Sequence, residues 1–200
     1  MHARLTTVTG ATDIDGGAAF VRDQAVHDLG QQKGFKGISC SADRTTGVVG
    51  ILSLWETEAD LDASESTADK TRGEGLKVMG GQPTVERYEQ IAEGVGSTPP
   101  EPGSVLRVTP WTCDPAQIDG IRAFFESDVV PTLTDRNGLR SIRAFANRST
   151  GAGMIGTIWT DNAAMEGSLD TIMELRAKGA ERGMTFGDAN LRELLFAQMV

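Results

Sequence analysis

The amino-acid sequence predicts an α+β fold: two tandem βαββαβ repeats whose sheets pack together as an intramolecular α+β barrel. Three observations carry this. Shifted by 104 positions, the chain matches itself without a gap from Ile14-Asp15-Gly16, on Ile118-Asp119-Gly120, to Ser64, on Ser168. In that frame Ala19-Phe20 meets Ala123-Phe124, Gly34 meets Gly138, Arg44-x-Thr46-Gly47 meets Arg148-x-Thr150-Gly151 and Trp55 meets Trp159. Self-similarity at a fixed period is the mark of a repeated structural unit. Second, each copy alternates strand and helix periodicities in the same order. Third, residues 93–103 hold three prolines and three glycines without an apolar period, and read as a linker. The predicted organisation is repeat 1–92, linker 93–103 and repeat 104–200.

The elements follow in order. Residues 3–9 and 105–112 are β-branched runs and read as first strands. Helical patterns follow over about 15–32 and 117–135; Ala18, Val21, Ala25 and Leu29 form one stripe, matched by Ile121, Phe125 and Leu133. Pro131 is expected to end or kink the second of these helices a turn early. Gly34 and Gly138 stand where a C′ glycine belongs. Residues 35–43 and 139–147 alternate as strands, and tight loops lead to returning strands over 48–55 and 153–159. Thr57 and Asp161 then cap second helices. Last strands are expected over 84–91 and 191–199. Outside the gapless block the frame slips by one, pairing Arg4-x-Thr6 with Arg107-x-Thr109. After it, a few extra residues pair Tyr88-x-Gln90-Ile91 with Phe196-x-Gln198-Met199.

Each repeat is thus a ferredoxin-like unit. Its two helices cover one face of the sheet and leave the other bare, so the bare face needs a cover. Burying about 1,000 Å² of apolar area contributes roughly 25 kcal/mol before ordering costs. That driving force predicts a pseudo-dimer within one chain, to which further homodimerisation could be added.

Composition excludes several classes. The chain is 39% hydrophobic with 24% charged residues, enough for a packed core. A formal net charge of −9 disfavours nucleic acid and anionic membrane as partners. No run of 18 apolar residues is present, and the N-terminus lacks the apolar segment of a signal peptide, so a cytoplasmic protein is expected. Cys40 and Cys113 form neither a CxxC pair nor a matched pair across the repeat, and are read as small buried hydrophobes. No phosphate-binding glycine loop follows a strand and no metal-ligand spacing occurs, so neither cofactor nor metal is expected.

A ferredoxin-like half whose third strand closes on a tryptophan, Trp55 or Trp159, and hands over at once to a helix resembles the dimeric α+β barrel superfamily. Its antibiotic biosynthesis monooxygenase-like group is the branch it looks most like, here as a dimer fused into one chain. The resemblance implies a pocket between the helices and the helix-facing side of the sheet, bordered by the tryptophan and by polar residues of the first strand and second helix. It implies a cofactor-independent monooxygenase-like enzyme acting on an aromatic or polyketide-like compound. The alternatives are a non-catalytic ligand-binding or stress-associated protein of the same fold, and a structural barrel with filled pockets. Haem degradation of the group's type is not expected, because the second helices lack histidine. Ile51 and Ile155 stand where the phenol-oxidising members can carry asparagine, and Leu61 and Met165 where they can carry tyrosine.

The candidate site residues are few. Trp55 and Trp159 could line a pocket and donate their indole N–H, or could simply pack the strand end against the helix. Trp111 stands opposite Val8 in the repeat frame, which hints at a different cavity in one half. His27, the histidine within the first helix, is the base candidate, against the commoner reading of a surface histidine. Arg4 and Arg107 match across the repeat and could bind a carboxylate or phenolate. A salt bridge to Glu86 or Glu193 would explain them equally well. A small apolar or aromatic molecule is the expected partner.

Overall fold

The computed structural model describes all 200 residues. The first half runs β1 (His2–Thr9), α1 (Ile14–Phe20), a π-helical segment (Val21–Ala25), α2 (Val26–Gly30), β2 (Phe35–Asp43), β3 (Val48–Trp55), α3 (Glu58–Ala63), α4 (Glu65–Met79) and β4 (Gln82–Val95). The second half runs β5 (Val105–Thr112), a 3-10 turn (Pro115–Gln117), α5 (Ile118–Phe124), a second π-helical segment (Phe125–Val129) and α6 (Val130–Thr134). It continues with β6 (Leu139–Ala146), β7 (Ala152–Trp159), α7 (Asn162–Glu166), α8 (Leu169–Ala180), the two-residue β8 (Thr185–Phe186) and β9 (Asn190–Met199). No helix is long and apolar enough to cross a membrane.

Hydrogen bonding orders the strands β7-β6-β4-β1-β3-β2-β9-β5-β8, with a further β7–β5 pairing. The fold is therefore α+β with a closed antiparallel strand barrel, and β8 hangs on β5. Within that order, β4-β1-β3-β2 and β9-β5-β7-β6 each have the strand sequence of a ferredoxin-like sheet.

Contacts divide the chain into two compact units, Met1–Arg87 with Glu193–Val200, and Tyr88–Arg192. In the first, the C-terminal strand lies against β2, Ala42 opposite Glu193 and Cys40 opposite Phe196. In the second, the end of β4 lies against β6, Ala146 opposite Glu89 and Ala144 opposite Ala92. This register corrects the expected match of Tyr88 with Phe196. Glu89 answers Glu193 and Ala92 answers Phe196, so the 104-residue frame continues through both strands. A hairpin arginine holds each register. Arg44 bonds Glu193 at 2.9 Å and Asp15 at 2.8 Å; Arg148 bonds Glu89, and Asp119 at 2.9 Å. The β4 strand also extends to Val95, four residues past the expected end at Ile91.

Pro131 does not shorten its helix. The helix runs to Thr134, as its counterpart runs to Gly30, because Pro131 occupies the first turn of α6 directly after the π-helical segment. At that position its missing N–H costs little. Gly34 (φ 76°) and Gly138 (φ 83°) are left-handed as a cap glycine would be. They lie three residues past the cap residues Gln31 and Asp135, however, and turn the chain into β2 and β6.

Each unit has its own core. Val21, Leu29, Ile38, Trp55, Leu61 and Met79 anchor the first, and Ile121, Phe125, Leu133, Ile142, Trp159 and Met165 the second. Cys40 is buried, which pushes its thiol up to about 12, and Cys113 is half-buried. One volume exchange separates the cores. Val8 faces Val49 across β1 and β3, whereas Trp111 faces Gly153 across β5 and β7. A Cβ on Gly153 would stand 2.3 Å from the Trp111 ring and 2.5 Å from the Phe145 carbonyl oxygen. Gly153→Val should therefore cost about 1–3 kcal/mol or more through overpacking. Trp111→Val combined with it restores the first half's pair and should recover the part of that loss due to the ring but not the part due to the Phe145 carbonyl, a non-additivity that a thermal-melt double-mutant cycle reads directly.

Candidate functional site

Successive side chains of a strand alternate between faces, so Arg4, Thr6 and Val8 share one side of β1, and Arg107, Thr109 and Trp111 one side of β5. In each unit a cavity lies between that side of the sheet and the helices. In the first, Arg4, Thr6, Ser53, Thr71 and Arg72 supply the polar wall, with Ile51, Leu29 and Met79 among its apolar lining. In the second, Arg107, Thr109, Thr157 and Arg176 do so, with Ile155, Leu133 and Leu175. The π-helical segments contribute Val21 and Ala25 to one and Phe125 and Val129 to the other. Widened helical turns of this kind recur beside functional sites. About 60 Å³ of the first cavity and 50 Å³ of the second are open to the centres of water-sized molecules.

Trp55 and Trp159 are fully buried but line neither cavity. Each indole N–H is already donated, from Trp55 to Ser53 Oγ at 3.1 Å and from Trp159 to Thr157 Oγ1 at 3.0 Å. They stand behind the hydroxyls that face the cavities. Trp55 also packs edge-on to Phe35, with the Arg4 guanidinium 5.7 Å from its ring centre. Trp111 is buried against Phe125, and its indole nitrogen finds no partner. His27 is exposed on α2 and lines neither cavity.

The two arginines share a position and differ in their surroundings. Arg4 is 3% exposed and spends Nη2 on Leu61 O at 2.8 Å, Ser64 Oγ at 3.1 Å and Glu65 Oε2 at 2.8 Å. Its ion-pair partner is thus Glu65 of α4, not Glu86 or Glu193 of a last strand. Glu65 also receives Arg87, and Arg72 at 3.6 Å. Burial would raise the Glu65 carboxyl, but Arg4 and Arg87 outweigh it and hold the group below the usual range. Arg107 is 8% exposed and makes no hydrogen bond or ion pair. Burial lowers its pKa, and the like charge of Arg176 adds to that.

Three participants escaped the reading from sequence: Ser53 with Thr157, Arg72 with Arg176, and Glu65 with Leu169. All three pairs lie in the 104-residue frame. The first two were findable as matched polar residues, and the third as a charge present in one half and absent from the other. No group of three His, Cys, Asp or Glu side chains stands close enough to share a metal, and neither cavity is lined by a carboxylate, histidine or cysteine.

The uncharacterized protein Rv2557 of Mycobacterium tuberculosis is 30% identical over 179 residues, spanning 88% of this chain and 79% of that protein. This chain belongs to the Rv2557 family. Rv2558 of the same organism is 27% identical over 180 residues, 89% of this chain and 76% of its own. No family profile matches the chain. Among solved structures, a Lactobacillus acidophilus protein with a provisional monooxygenase designation aligns over 100% of this Rv2557-family chain and 99% of its own, with a TM-score of 0.69 and 11% identity. An anthrone oxidase-like protein covers 99% of this chain and 92% of its own, at TM-score 0.64 and 13% identity. A Listeria monocytogenes ferredoxin fold protein related to antibiotic biosynthesis monooxygenases covers 97% and 95%, at TM-score 0.56 and 9% identity. At these identities the likeness is one of fold. It is the fold expected from Trp55, Trp159 and the elements around them.

Proposed function

We propose that this protein is a small-molecule-binding α+β barrel of the antibiotic biosynthesis monooxygenase-like kind, produced by tandem duplication, whose two cavities accept a small apolar or aromatic compound. The observation that carries the reading is the repeated cavity: a strand arginine, a helix arginine and two strand hydroxyls, with Thr71 added in the first, set into a lining that is otherwise apolar. Ligand sites have this composition, apolar walls for affinity and a few convergent polar groups for orientation. Isothermal titration and native mass spectrometry with a neutral single-ring aromatic such as phenol test it. Uptake is expected, and filling each cavity by Ala68→Phe and Ile172→Trp should reduce it about tenfold. If phenol binds nowhere, the reading fails.

A cofactor-independent monooxygenase is the second reading, favoured by the arginines. A guanidinium beside a bound phenol stabilises its ionised form. An acidic substrate could thus lose its proton without a protein base. In such a reaction the substrate carbanion reduces oxygen: one oxygen atom forms a carbonyl at the former CH₂ carbon, and the other leaves as water. Oxygen uptake with anthrone above the buffer rate would support this reading; none would leave binding as the activity.

A further inference from the structure

The two cavities carry different charge. Around Arg4 and Arg72 the first supplies Glu65, and Asp69 at 2.5 Å from Arg72. At the matching positions of α8 the second carries Leu169 and Met173. Arg107 and Arg176 remain, with no carboxylate paired to either: Arg176 bonds the Gly187 carbonyl at 3.3 Å and lies over the Phe186 ring at 5.0 Å. The exposed Glu166, at the position of Asp62, pairs with neither arginine. The hydroxyls differ too. Ser53 donates to Arg4 O at 3.5 Å, whereas Thr157 only accepts, from Trp159, and keeps its own O–H free.

We propose that the second cavity is an oxyanion-recognition site for a small apolar monoanion, a carboxylate or phenolate on a ring or short acyl body, while the first cavity, neutralised by its own glutamate, takes no anion. This rests on the small-molecule reading above and assigns the ligand's charge and its cavity. A buried guanidinium without a counterion is costly, and a ligand oxyanion that pairs with it removes the cost. Phe124, Phe125, Val129 and Leu175 demand an apolar body behind the charged group. The open space holds roughly four waters, or about 120 Å³ of liquid, which suits a single ring.

Sodium benzoate, its neutral counterpart benzamide, and 4-nitrophenol are titrated calorimetrically into the whole protein. The wild type should bind one equivalent of benzoate at least tenfold more tightly than benzamide. Leu169→Glu places a carboxylate where Glu65 stands in the other half. It should erase the preference, leave benzamide binding unchanged and raise the thermal midpoint of the ligand-free protein. Arg107→Met should also erase the preference, and decides the matter if Leu169→Glu fails to fold. Either anion supports the site. Yellow 4-nitrophenolate bound below its solution ionisation range selects the phenolate, and tighter benzoate the carboxylate. Equal affinity for benzoate and benzamide, or a preference that survives both substitutions, overturns the proposal while phenol binding keeps the broader reading. Failure of every probe to bind removes both.

Discussion

A fragment ending at Val95 will not fold cooperatively, and a chain lacking residues 190–200 will lose the cooperative folding of its first unit. The first compact unit includes Glu193–Val200. Without that strand, β2 loses partners from Gly37 to Ala42. Leu195 and Phe196 also leave the core they pack against. Six backbone pairings at about 1 kcal/mol each, with roughly 2–5 kcal/mol for each lost large side chain, reach the whole stability of a typical domain, about 5–15 kcal/mol. The bared edge of β2 would also be a template for aggregation. Circular dichroism melts check this: a sharp transition in the fragment, or an undiminished transition amplitude in the chain lacking residues 190–200, contradicts it.

Trp55→Ala and Trp159→Ala should each cost about 3–5 kcal/mol, because each removes a fully buried ring and leaves a cavity that the strand and helix close incompletely. Trp→Phe at the same positions keeps most of the volume and removes one hydrogen bond, to Ser53 or Thr157, so about 1 kcal/mol is expected. Chemical denaturation separates the two. Ligand affinity should change little in the Phe variants, since neither indole faces a cavity. A large loss of affinity with small loss of stability would instead make the indoles contact residues.

The paired arginines were legible because Arg4-x-Thr6 and Arg107-x-Thr109 repeat a polar residue in a strand of otherwise half-buried character. Their partners were not, because the counterion lies 61 residues away on a helix whose facing direction a strand pattern cannot supply. The tryptophans were equally visible, but a buried indole reads the same in sequence whether it faces a ligand or a neighbouring hydroxyl. Pro131 was misjudged because the π-helical turn before it carries no residue signature.

The order of strands and helices, and the apolar and polar faces of each, follow from local periodicity and turn chemistry, which act over a few residues and are written directly in the chain. Which strand completes which unit depends on contacts between segments far apart in the chain: Arg44 with Glu193, and Arg148 with Glu89. The same holds for the charge of the cavities. An arginine is a paired structural ion or an open anion receptor according to whether a glutamate or a leucine begins the helix opposite. That distinction is set by through-space electrostatics in a desolvated pocket, which exists only once the chain has folded.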